Sequence, residues 1–153
     1  MKKGFFLSSF FLLLSLFCLC TAIDEEFVVV DTAERFFKAL RDGEYSVAWG
    51  LLTPKSKEII INRVHSSLKK EGIKAEKEEI RRDFEGGGPL FKAYWKGFCE
   101  EFRPGLVLDR CRWELKEVKS RDKAVILLRC RATRPLKLFF LEGKWLVGFE
   151  ESF

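Results

Sequence analysis

Ala33 to Lys57 reads A-E-R-F-F-K-A-L-R-D-G-E-Y-S-V-A-W-G-L-L-T-P-K-S-K, and this stretch decides the fold. Phe36, Phe37, Ala39 and Leu40 follow Ala33 at spacings of three and four, which makes one apolar stripe on a helix rather than two strand faces. Asp31 and Glu34 are spaced as a capping box, so the helix is expected to begin there. Asp42-Gly43 ends it, because glycine enters the left-handed region beyond a helix C-terminus at little steric cost. A short amphipathic turn follows, with Tyr45, Ala48, Trp49 and Leu52 on its inner side. Thr53-Pro54 then starts a third helix: threonine accepts a bond from an orphan N–H, and proline at the first helical position forfeits no needed donor.

Working outward, Ile60, Ile61, Val64 and Leu68 continue the helical period up to Gly72. Ala75 to Phe84 is expected as a short polar helix that Gly86-Gly87-Gly88 terminates. Pro89 opens a helix carrying Leu90, Phe91, Tyr94, Trp95, Phe98, Cys99 and Phe102. Arg103-Pro104-Gly105 is expected to end the helical half, after which the period becomes two. A hairpin about Ser120-Arg121 sets Cys111 opposite Cys130, Trp113 opposite Leu128 and Leu115 opposite Ile126. A slip of one residue would destroy all three apolar pairs. A second hairpin about Glu142-Gly143 sets Phe140 opposite Trp145, Leu138 opposite Val147 and Leu136 opposite Phe149. The expected class is α+β, with N-terminal helices packed against a curved antiparallel sheet of about four strands.

The pattern from Ala33 through Phe36-Phe37, Ala39-Leu40, Gly43, Tyr45, Ala48-Trp49 and Leu52-Thr53-Pro54 to Ser56 resembles the N-terminal helical segment of small exported nuclear transport factor 2-like domains. Glu142 to Val147 is similar to their closing hairpin. The resemblance implies a cone between helices and sheet. Some of its members are isomerases or dehydratases with an Asp, Tyr or His inside that cone. It carries packing residues and no catalytic signature, so it speaks to fold more than to activity.

Lys2 and Lys3 precede an apolar run from Gly4 to Ile23. This reads as a secretory signal over residues 1–22, cleaved after Ala22, leaving 23–153 as a single domain in the periplasm or outside the cell. The other reading is an inner-membrane anchor over residues 4–23, since the run approaches the roughly 20 residues that span a bilayer. Loss of Lys2 and Lys3 lowers the basic count from 28 to 26 against 23 acidic residues, a net +3. There is no repeat and no linker.

Export leaves Cys99, Cys111 and Cys130. Two readings stay open: a disulfide between Cys111 and Cys130, or three small buried hydrophobes. No Cys/His spacing suits zinc or another metal. On the opposite sheet face the register sets Arg110 against Arg131 and Arg112 against Arg129, with Arg134 nearby. Facing like charges invite either an anionic envelope component or protein partner, or neutralisation by Glu114, Glu150 and Glu151. Val125 and Leu127 share that face and offer a homodimer contact. Nucleic acid is a poor partner, because no stacking platform accompanies the charge.

Phe37, Trp49, Trp95, Trp113, Phe140 and Trp145 are the aromatics that would line a ligand pocket in the cone, unless they fill it. The inward strand positions hold Trp, Leu, Ile, Cys, Phe and Val and no carboxylate, which speaks against general acid–base catalysis. No catalytic residue is assigned and nothing calls for a cofactor. The expectation is a non-catalytic binding or interaction module of the cell envelope; the alternative is a small-molecule isomerase or dehydratase using the cone.

Overall fold

A computed structural model describes residues 25–119 and 122–152. The expected signal segment and the Ser120-Arg121 turn therefore lie outside the described residues. Helix α1 covers 25–41 and is followed by α2 (Tyr45–Gly50), α3 (Pro54–Lys70), α4 (Lys77–Glu85), α5 (Pro89–Phe102) and α6 (Pro104–Arg110). Strands β1 (Arg112–Lys119), β2 (Lys123–Arg129), β3 (Thr133–Leu141) and β4 (Lys144–Gly148) form one antiparallel sheet in chain order. The chain is an α+β domain, and its buried hydrophobic core runs from Val29 to Phe149.

The Ala33–Lys57 stretch folds as its spacing predicts. Ala33, Phe36, Phe37, Ala39 and Leu40 are all buried, and Gly43 takes a positive φ of 77° just past α1. The Thr53 hydroxyl accepts the Ser56 N–H at 3.1 Å, capping α3. The joint before it has a second task. Val147 donates to the Leu51 carbonyl at 2.7 Å and Thr53 donates to that of Val147 at 3.1 Å, so the chain between α2 and α3 pairs with β4. An otherwise open sheet edge is thereby covered.

Four local expectations need correction. Asp31 does not cap α1, which is already helical from residue 25; the Thr32 hydroxyl instead bonds back to the Val28 carbonyl at 2.8 Å. Arg103-Pro104-Gly105 ends α5 but does not begin the strand half. Arg103 adopts left-handed geometry at φ 54°, Pro104 takes a first-turn position, and a second short helix follows, burying Val107. Arg110 consequently ends a helix, and the ladder contains no Arg110–Arg131 pair. Phe149 likewise leaves the ladder, which closes at Lys137–Gly148, and turns inward against Phe36, Phe98 and Phe102.

The remaining register follows the apolar alternation. Arg112 faces Arg129, Trp113 faces Leu128 and Leu115 faces Ile126, after which a bulge between Leu115 and Glu117 shifts the pairing by one. Bulges of this kind increase strand twist and bend. Leu138 faces Val147 and Phe140 faces Trp145, across a two-residue turn in which Glu142 and Gly143 have φ of 51° and 80°. Positive φ at both central residues matches the strand twist of a tight hairpin.

Candidate functional site

The six aromatics proposed as pocket lining do not surround one space. Phe37, Trp49, Trp95 and Trp145 are buried, Trp113 is half-buried, and Phe140 is 39% exposed at the end of β3. Their rings pack on other rings. Trp49 meets Phe84 and Phe91; Phe91 meets Trp95; Trp95 meets Phe98; Phe98 meets Phe102; Phe102 stacks on Phe37, which meets Trp113 edge-on at 5.6 Å. Phe140 and Trp145 form a separate pair at 5.5 Å. Edge-to-face contacts at such spacings are favourable, so these rings act as mutual packing.

The hydroxyls and thiols beside that network are kept neutral. Burial, above all, pushes Tyr94 up to about 12, with Glu150 adding to the shift and Arg63 opposing it. Burial also pushes the Cys99 thiol up to about 11, and Cys99 donates to the Leu40 carbonyl. Tyr45 is raised first by burial, then by Cys99 and Glu100. Asp83, near the end of α4, accepts the Phe91 N–H at 2.8 Å and caps α5. Neutral or capping groups of this kind are poor proton-transfer agents near pH 7.

The second region is the end of the sheet where β1 begins and β2 finishes. Cys111 and Cys130 are joined in a disulfide with their Cα atoms 4.4 Å apart, leaving Cys99 as the free cysteine of the described residues. Each bonded cysteine stands between two arginines, Arg110 and Arg112 or Arg129 and Arg131, and all four are exposed. Arg112 faces Arg129 across the strands. Arg129 Nε reaches Glu114 Oε2 at 2.7 Å, and this bond, foremost, lowers the Glu114 carboxyl below its ordinary range.

Glu150 and Glu151, the other residues expected to balance this face, serve elsewhere. Glu150 takes a two-pronged bond from Arg63 at 3.1 and 2.7 Å, and Glu151 accepts from Thr53 at 2.5 Å. Both fasten the C-terminal turn to α3. Among the described residues, Glu114 is the acid bonded to the facing arginines, through Arg129. The segments Asp109–Glu114 and Arg129–Arg134 hold five arginines and two acids, a net +3. That equals the net charge of residues 23–153, so their other 21 basic and 21 acidic residues cancel. The sequence register already sets these arginines together; which acids neutralise them is what the structure adds. On the same face Val125 and Leu127 are half-buried, opposite Lys137 and Pro135.

A third feature had no sequence signal. A cavity of about 280 Å³ lies between the α1–α2 joint and α5, lined by Gly43, Tyr45, Ser46, Phe91, Lys92 and Lys96. None of the six aromatics named above lines it. Among the described residues no cluster of His, Cys, Asp and Glu could hold a metal ion, and no helix is long and apolar enough to cross a membrane. Compared with known proteins, the chain matches no family model, no curated protein and no solved structure.

Proposed function

We propose that the protein is an exported, non-catalytic binding module of the cell envelope that engages an anionic partner, a phosphate-bearing membrane surface in the first instance, through the arginine corner around Cys111–Cys130. The observation that carries this reading is the concentration of charge: two segments that meet at the disulfide hold a net charge equal to that of the whole exported domain. Guanidinium groups match phosphate with a planar fork of donors, and a localised field steers anions toward itself. The ring-filled interior supports the non-catalytic half of the reading, since an acid or base would need a place beside a substrate. The nuclear transport factor 2-like resemblance remains part of the proposal as an architecture with a filled cone.

The test is co-sedimentation of residues 23–153 with vesicles of anionic or neutral phospholipid. Binding to anionic vesicles that fades with salt is expected. Each arginine near such a surface contributes about 1 kcal/mol, so Arg112→Gln/Arg129→Gln should weaken binding roughly 30-fold. Equal binding by the variant, or equal binding to neutral vesicles, would refute the reading.

A further inference from the structure

The cavity between the α1–α2 joint and α5 combines two kinds of lining. One wall is aromatic, from Tyr45 and Phe91, and the other is cationic, from Lys92 and Lys96, with the Ser46 hydroxyl beside them. Lys92 and Lys96 stand four apart on one helix and project to the same side. Like charges at that spacing oppose the helix unless something neutralises them. Neither ammonium has a hydrogen bond or ion pair with another side chain among the described residues, whereas Lys38, Lys55 and Lys77 each pair with a carboxylate. The Ser46 hydroxyl is likewise without a side-chain bond there.

A further ring lies behind the aromatic wall and would report on its occupancy. Trp95 is 1% exposed, and its indole N–H has no hydrogen-bond partner among the described residues. Two rings that line the cavity flank it: Tyr45 stacks on it at 6.5 Å and Phe91 meets it edge-on at 6.4 Å. The volume of about 280 Å³ is near the lower end of small-molecule sites and equals about nine water volumes.

We infer that this cavity binds a small organic anion of the phosphate-monoester type, with a flat apolar body against Tyr45 and Phe91 and its charged head between Lys92 and Lys96. Apolar area and charge are both needed. The rings would hold any flat molecule weakly, while the two ammonium groups and the Ser46 hydroxyl select a doubly charged head. The inference does not rest on the arginine corner, with which the cavity shares no residue, so either can fail alone.

Phenyl phosphate is the probe, titrated into residues 23–153 while amide and indole resonances are followed. Saturable shifts are expected at Tyr45, Ser46, Phe91, Lys92, Lys96 and the Trp95 indole N–H. Inorganic phosphate, which lacks the ring, and benzyl alcohol, which lacks the charge, should each bind at least about tenfold more weakly. Lys92→Gln/Lys96→Gln should weaken phenyl phosphate by about tenfold or more, while Arg112→Gln/Arg129→Gln leaves it unchanged. Absence of saturation, equal affinity for inorganic phosphate, or shifts confined to the arginine corner would overturn the inference.

Discussion

Replacing both Cys111 and Cys130 by serine removes the bond that joins the start of β1 to the end of β2. The cysteines are 19 residues apart, and closing a loop of that length costs the unfolded chain about 3 kcal/mol of entropy. The folded chain has little to regain by relaxing. The next pair, Arg112 and Arg129, is already in register, and the 4.4 Å Cα separation is close to the roughly 4.5 Å of a non-hydrogen-bonded antiparallel pair. Nearly all of the loss should therefore appear as stability. For a domain of about 130 residues, 3 kcal/mol lowers Tm by roughly 10 °C. Urea unfolding of residues 23–153, oxidised and in the double variant, measures the difference directly. The variant's m-value should rise, because its unfolded state is no longer cross-linked. A loss below about 1 kcal/mol would refute the reasoning, as would three titratable thiols in the denatured, unreduced protein.

Gly88→Ala should cost about 1–2 kcal/mol, although φ −72° there suits any residue, because the new Cβ would lie 2.2 Å from Asp83 Oδ2 and push away the carboxylate that caps α5. The same change in an Asp83→Ala background should cost little; additive losses in chemical denaturation would contradict this. The Cys99 thiol is raised from 9.0 to about 11, so its contribution to stability is complete below its unfolded value and is lost as pH rises toward 11. Cys99→Ala should flatten the fall of Tm between those two pH values, and an unchanged slope would remove Cys99 as a cause. Glu58, held at about 2 chiefly by its hydrogen bonds from Lys77 and Arg81, contributes stability above its ordinary 4.5 that is lost as pH falls. Glu58→Gln should make stability less sensitive to acid over that range, and unaltered acid sensitivity would discount the link between α3 and α4.

The parts of the fold that were legible in the sequence are those where one periodicity had no rival. Phe36, Phe37 and Leu40 admit only a helix, and Trp113, Leu115, Ile126 and Leu128 admit only one register, since a slip would turn each outward. The bulge after Leu115 left no mark, because Lys116-Glu117 reads as ordinary polar surface. Helix α6 was hidden by its length and by three successive apolar residues, Leu106 to Leu108, that fit either period. Asp31 misled because a capping pattern inside a helix looks the same as one at its start.

The site was less legible than the fold, for physical reasons. Which acid neutralises which base depends on where chain ends are fastened. Glu150 and Glu151 are taken by Arg63 and Thr53 once Phe149 turns into the core. With those acids removed, the arginine corner stands out. The lysine-lined cavity depends on Gly43, Ser46 and α5 meeting across some fifty residues, a contact that neither segment's pattern announces.

The most direct measurement is an amide-resonance map of residues 23–153 titrated with small bicelles of anionic lipid and, separately, of neutral lipid. The account predicts perturbations at 110–112 and 129–134 with anionic lipid alone, abolished by salt. Perturbations centred on the inward positions Trp113, Ile126 and Leu138, or identical maps with neutral lipid, would contradict it.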